Sequence, residues 1–228
     1  MSVGPFAKIK NSLKANVNPR PDLRIFLNEN VKSGFDFNDC IDYCLRDMGI
    51  DERFLQIKNP KKEYDFVYVG SICRGREIDK FLKKFTERKN GKLCLVGNVE
   101  DDIYKAYKNN KDIIFTGKIS YSDVPQIASK AIYGINFIPD KYPFNIQTST
   151  KLLEYLALKL KVVTTSYKWI KQFEENYNCS FYKLNHHSEF DIEKIEKHKF
   201  ISEFRAEDFL WETIIKRTGI LKKIKELL

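Results

Sequence analysis

Beyond Tyr64, apolar residues come in short β-branched or aromatic runs, and the stretches between them carry apolar positions at helical spacing. The runs are 64–69 (YDFVYV), 93–96 (LCLV), 113–116 (IIFT), 132–138 (IYGINFI), 161–165 (KVVTT) and 180–183 (SFYK). Helical patterns fill 76–88, 101–108, 122–129, 149–158 and 167–176. Alternation of this kind with short connections predicts an α/β fold: a Rossmann-like parallel sheet with helices on both faces. Ligands of such sheets sit beyond the carboxyl ends of the strands, near a switch in strand order. Gly70, Gly97, Gly117 and Pro139 follow the first four runs and stand at that edge.

The two ends of the chain read differently. Residues 1–62 form a partly helical N-terminal extension, and 63–228 the α/β body with its C-terminal helices. Residues 1–22 are basic and turn-rich, and Leu23–Leu27 predicts a short strand. Asp36 or Asn38 is placed to cap a helix running through Cys40, Ile41, Cys44 and Leu45 and ending at Gly49, with a further helical turn over 51–57. From Glu203 onward the pattern is two helices broken near Gly219. The last, ILKKIKELL, sets Ile220, Leu221, Ile224, Leu227 and Leu228 opposite its lysines. Such a helix either packs back on the body or lies on an anionic membrane surface.

Most of the candidate chemistry lies in residues 142–165, YPFNIQTSTKLLEYLALKLKVVTT. A turn at Pro143 and Asn145 precedes two candidate helix caps, Thr148 and Ser149, each able to accept a hydrogen bond from the next turn. The remaining N–H groups and the positive end of the helix dipole favour an anion such as a diphosphate. Glu154 lies one turn further in, where a carboxylate can accept from paired hydroxyls such as those of a ribose. An ordinary capped helix with a solvated glutamate fits the same spacing. Lys151 sits where the dipole disfavours a cation, so it either faces an anion or reaches away to water. In the first βα turn, Val69-Gly70-Ser71-Ile72-Cys73-Arg74-Gly75-Arg76, Gly70 permits close approach of a phosphate. Arg74, or Arg76 if the turn is read one step differently, supplies a guanidinium for it.

The chain of 228 residues is 43% hydrophobic and 31% charged, the balance of a globular protein. No apolar run reaches the roughly 20 residues of a membrane span, and MSVGPFAKIKN lacks a signal-peptide core. The cytoplasm is the default expectation. Five cysteines (Cys40, Cys44, Cys73, Cys94, Cys179) argue against a disulfide framework, and Cys40 and Cys44 without a second Cys/His pair read as buried thiols rather than zinc ligands. A formal charge of +9 asks for an anionic partner. With no RNA-module or Cys/His-finger signature, a nucleotide diphosphate or a lipid surface suits it better than nucleic acid. The histidines, His186, His187 and His198, all follow the last strand and offer no central base. Asp101-Asp102 reads as an acidic helix start, so no metal is expected.

Residues 149–165 resemble the donor-binding signature of family-4 glycosyltransferases, P-x-K-x-x-E-Y-x-A-x-G-x-P-V-V-x-T, and the resemblance extends over roughly residues 64–185. It implies one half of a GT-B fold, the nucleotide-sugar-binding half. The function it implies is transfer of a sugar, with retention, from a UDP-type donor to a glycan or lipid-linked acceptor of the bacterial cell envelope. The donor is a substrate, and no cofactor is expected. Carried over by position, Gly70, Ser71, Arg74, Ser149, Thr150 and Lys151 would meet the diphosphate, and Glu154 the ribose. Gly97, Gly117 and Ile119 would lie at the base, Tyr121 would stack on it or cap the next helix, and Asn145 would belong to a P-x-N turn near the sugar. Arg74, Lys151 and Glu154 would be the residues that carry catalysis. Four departures stand out: Ser71, in a shortened turn, occupies the place of an arginine, Ile146 that of a glutamate, Lys159 that of a glycine and Lys161 that of a proline. The first 60 or so residues are also short for an acceptor domain. The acceptor side would come from those residues, a second copy or a partner subunit. The alternative is a donor-binding subunit or remnant domain without turnover.

Overall fold

The computed structural model describes residues 20–35, 37, 40–58, 60–184 and 189–228, together with 6, 9, 10, 12, 13 and 17. The expected cap at Asp36 or Asn38 and the pair His186 and His187 lie outside the described residues.

Six strands form the central sheet: β3 (Tyr64–Val69), β4 (Leu93–Val96), β5 (Ile113–Gly117), β6 (Ala131–Asn136), β7 (Lys161–Thr165) and β8 (Tyr182–Leu184). Their spatial order is β5-β4-β3-β6-β7-β8, and every neighbouring pair is parallel. Three expected runs coincide with β3, β4 and β7, and those of β5, β6 and β8 are shifted at an end by one or two residues. The order runs outward in both directions from β3 and β6, so the switch point lies between them.

Because side chains alternate across a strand, β3 feeds two cores. Val67 packs with Cys94 and Val162 against α4 (Val124–Ala128), α5 (Thr150–Ala157), α6 (Lys168–Asn176) and α8 (Trp211–Thr218). Phe66 and Tyr68 pack on the other face with Leu93, Leu95 and Ile135. There they meet α2 (Ile78–Thr86), α3 (Asp101–Tyr107) and α7 (Ile192–Lys197). Helix α7 was not expected; Asp191 caps it by accepting from the N–H groups of Glu193 and Lys194.

In the N-terminal segment the expected strand forms as β1 (Arg24–Phe26), followed by α1 (Glu29–Lys32). The expected helix through Cys40–Leu45 does not. Residues 43–45 are strand β2 (Tyr43–Leu45), in parallel register with β1 from Arg24↔Tyr43 to Phe26↔Leu45. Pairing with a distant strand outweighed a weak local helical spacing. Cys44 is buried on β2, but Cys40 is exposed, contrary to the expected pair of buried thiols. Asp51 caps a 3-10 turn over Glu52–Leu55, as the sequence suggested.

The N-terminal segment is tied to the start of α8. The Ile50 N–H donates to the Phe209 carbonyl (2.8 Å), and the Trp211 N–H to the Ile50 carbonyl (3.2 Å). Beyond Gly219, helix α9 (Ile220–Leu227) packs back only in part. Ile220 is buried and Lys223 holds Asp42 (2.6 Å), while Leu221, Ile224 and Leu227 stay exposed. No helix among the described residues is long and apolar enough to cross a membrane.

Candidate functional site

Helix α5 lies closely against the sheet because of what is missing from Gly134 on β6. A Cβ there would sit 2.4 Å from the Tyr155 ring. The buried Tyr155 hydroxyl in turn accepts the Val69 N–H at 2.9 Å, which ties the helix to the end of β3. This places the N-terminus of α5 beside Gly70, at the switch point. The walls of the resulting cleft, about 430 Å³, come from the turn after β3, Ile138 beyond β6, Phe144, residues 147–151, Glu154 and, from the N-terminal segment, Leu27 and Met48.

Neither candidate cap performs that role. The Thr148 hydroxyl donates to Asp47 Oδ1 (2.5 Å) and the Ser149 hydroxyl to Asn136 Oδ1 (2.7 Å), and no side chain caps α5. Asn136 is buried and also donates to Thr164 Oγ1 and the Tyr167 hydroxyl, so Ser149 is drawn inward to satisfy it. The positive end of α5 therefore opens on the cleft with no side-chain acceptor.

Two charged side chains of α5 enter this space. The residue Lys151 is half-buried as a whole, but its ammonium is wholly buried and has no hydrogen-bond partner. It lies 4.1 Å from the centre of the Tyr68 ring and 3.4 Å from where a Cβ on residue 70 would stand, an ordinary contact distance; what favours glycine at 70 is its φ of 140. Burial, followed by the nearby Arg76 charge, pushes its pKa down to about 7, although Glu154 opposes this. Glu154 is 5% exposed and accepts a hydrogen bond from the Tyr121 hydroxyl at 2.7 Å. Burial lifts its pKa to about 7 against the pull of Tyr121 and Lys151. Burial thus disfavours the charged form of each group beside an open cavity, the combination that makes this cleft the candidate site.

The structure gathers Gly70, Ser71, Ser149, Thr150, Lys151 and Glu154 around the cleft. Arg74 is not among them. Its guanidinium is bonded to Asp102 at the surface, with Asp79 near, and it is Arg76 that borders the cleft, 5.7 Å from the Phe144 ring centre. A 3-10 turn over Arg74–Arg76 separates the two arginines in direction. Gly97 meets Gly70 itself: a Cβ there would fall 2.1 Å from the Gly70 carbonyl oxygen, so its part is to let that turn sit close. Gly117, Ile119 and Tyr121 stand outside the cleft lining, and Tyr121 reaches the site only through Glu154. Asn145 donates to Asp140 (3.1 Å) and likewise does not line it. Asp47, Leu27 and Met48 carried no local signal, since only the tertiary fold brings them here.

A second cavity, of about 590 Å³, lies across the Glu77–Lys141 ion pair. Its floor is Phe81, Phe137 and Phe190, and Glu77 holds both Lys80 and Lys141 at its rim. Among its described lining residues no buried polar atom lacks a partner, which makes it the weaker candidate for a charged ligand. His198 packs edge-on against Tyr182 and Phe200, away from the cleft. Among the described residues no group of three or more His, Cys, Asp or Glu side chains is gathered as metal ligands.

No family model matches the chain, and no curated protein matches it. Solved structures do. The chain resembles sucrose-phosphate synthase from Thermosynechococcus elongatus, with a TM-score of 0.65 and 13% identity over 99% of this chain and 64% of that one. Anabaena HepE in complex with UDP and glucose gives 0.63 and 11%, over 97% and 66%. The pneumococcal O-GlcNAc transferase GtfA in complex with UDP and GlcNAc gives 0.60 and 13%, over 90% and 45%. At such identities the likeness establishes the fold: the six-stranded parallel sheet with its helices matches one Rossmann-like half of GT-B glycosyltransferases. The chain spans less than two thirds of the length of the sucrose-phosphate synthase chain.

Proposed function

We propose that this chain binds a nucleoside-diphosphate sugar in the cleft at the N-terminus of α5 and donates the sugar to a glycan or lipid-linked acceptor. The observation that carries the reading is the partnerless buried ammonium of Lys151, one turn before the buried carboxylate of Glu154. The diphosphate meets Lys151, Arg76 and the uncapped first turn of α5, and Glu154 takes the ribose hydroxyls. When the bond from the sugar to the β-phosphate breaks, charge grows on the leaving oxygen, and the same cations and helix end stabilise it without a metal. Following the family resemblance, transfer proceeds with retention, and the leaving diphosphate accepts the acceptor's proton. A UDP-type donor is favoured because two of the similar structures hold UDP with a sugar. The exposed face of α9, with Lys222 and Lys225, suits contact with an anionic membrane that carries a lipid-linked acceptor.

One observation favours a second reading, a donor-binding subunit without turnover. Ile146, buried, stands where the resemblance puts an acidic residue near the sugar. A partner chain then completes the enzyme, and one similar structure is a GtfA/B complex.

Isothermal titration with UDP, GDP and their sugars tests the site; absence of binding by all of them at millimolar concentration ends both readings. UDP release from a bound donor, measured with and without candidate acceptors, separates the first reading from the second.

A further inference from the structure

Lys151 and Glu154 are three residues apart on one helix, the spacing at which an ammonium and a carboxylate ordinarily pair. Both are buried, where such a pair gains most from forming. Yet they do not pair: the ammonium has no partner, and the carboxylate is turned to Tyr121. A Lys151–Glu154 ion pair would neutralise the cleft from within and leave nothing for a diphosphate or a ribose.

Tyr121 is firmly placed to prevent this. Its ring rests on Phe54, which is 1% exposed, with 5.8 Å between ring centres. The Arg53 guanidinium lies 5.8 Å from the Tyr121 ring centre, and Arg53 is itself held by both oxygens of Asp51 (2.7 and 2.8 Å). The brace thus comes from the 3-10 turn of the N-terminal segment, the hydroxyl from the loop after β5, and the carboxylate from α5.

We propose that Tyr121 is a positioning residue, whose hydroxyl holds Glu154 away from Lys151 so that both charged groups stay available to a nucleoside diphosphate. The inference rests on the donor-site reading above and adds to it a part for the 3-10 turn over Glu52–Leu55, which acts on the site without lining the cleft.

The test uses the full chain and two variants, with inorganic pyrophosphate and UDP as probes. Tyr121 is 45% exposed, so Tyr121→Phe removes one hydroxyl without opening the core. That variant should bind pyrophosphate about tenfold more weakly, because Glu154 swings to Lys151 and occupies it. Adding Glu154→Gln should restore pyrophosphate binding while leaving UDP weak, since the quenching charge and the ribose contact go together. A merely structural role for Tyr121 would give no such recovery. Unchanged pyrophosphate affinity in Tyr121→Phe, or no recovery in the double variant, overturns the proposal. If the wild-type protein binds neither probe, the donor-site reading falls, and the Lys151 amine, followed by NMR with isotope-labelled lysine, still decides the positioning role. Its titration moves upward in Tyr121→Phe if the ion pair forms, and stays in place if Tyr121 has no such part.

Discussion

Arg74 and Lys151 are two cations within reach of one turn, and they are held in opposite ways. Arg74 is 64% exposed and shares Asp102, itself half-exposed, across open solvent. An ion pair of this kind costs little to form and contributes little. Lys151 has given up its water and received no counter-charge, an arrangement that costs several kcal/mol unless the amine sheds its proton. The satisfied cation is a surface ornament of the fold, whereas the unsatisfied one identifies where a partner belongs. The motif places both near a phosphate; only the three-dimensional partners tell them apart.

The sharpest way to break the comparison is Lys151→Met. Folding stability should rise by about 1–3 kcal/mol as an unpaired buried amine gives way to an apolar chain of similar volume. Affinity for UDP should fall about 100-fold with the loss of a buried charged contact. Urea denaturation and calorimetric titration of the same samples measure the two. A loss of stability together with retained binding would place the amine in a structural role.

The arginines come next. Arg76→Ala should weaken UDP roughly tenfold while leaving uridine unaffected, whereas Arg74→Ala should change UDP affinity less than about twofold. A reversed order would restore the assignment read from sequence.

The third test is pH. The folded pKa of Glu154 is raised to about 7, so the native state holds more protons than the unfolded chain between the ordinary carboxylate range and pH 7, and stability falls as pH rises there. The folded pKa of Lys151 is lowered to about 7, so above pH 7 the unfolded chain holds the extra proton and stability rises toward the ordinary lysine range. The unliganded protein should therefore show a dip in stability near pH 7, on the order of 1 kcal/mol, that Lys151→Met flattens on the alkaline side and that Arg74→Ala leaves in place. Denaturation midpoints across pH 5 to 9, on the order of two points per pH decade, would reveal it.

The mildest test lies at the other end of α5. Lys159 follows the helix with φ 58, a left-handed conformation that suits glycine better. Lys159→Gly should raise stability by up to about 1 kcal/mol and leave UDP binding alone.

The parallel sheet and the helices between its strands were legible because each run of β-branched residues and each amphipathic stretch carries its own period. Strand β2 was not, because Tyr43–Leu45 becomes a strand only by pairing with Arg24–Phe26. At the site, Lys151 and Glu154 were readable from their spacing behind a helix start. The hydroxyls of Thr148 and Ser149 were misread as caps because their acceptors, Asp47 and Asn136, lie 101 and 13 residues away in sequence. The choice between Arg74 and Arg76 turned on a single 3-10 turn, and the link from Tyr121 to Glu154 spans 33 residues. Local pattern carries elements and candidates; partners across the fold decide which candidates face the ligand.

The bond from the Val69 N–H to the Tyr155 hydroxyl has a mechanical consequence. It fastens the end of β3, and with it the Gly70 turn, to helix α5, so those two walls of the cleft are held to one another by a buried bond. The opposite side, with Leu27 and Met48, is fastened through the neighbours of those two residues, Asn28 to the Ile146 carbonyl (3.5 Å) and Asp47 to the Thr148 hydroxyl (2.5 Å).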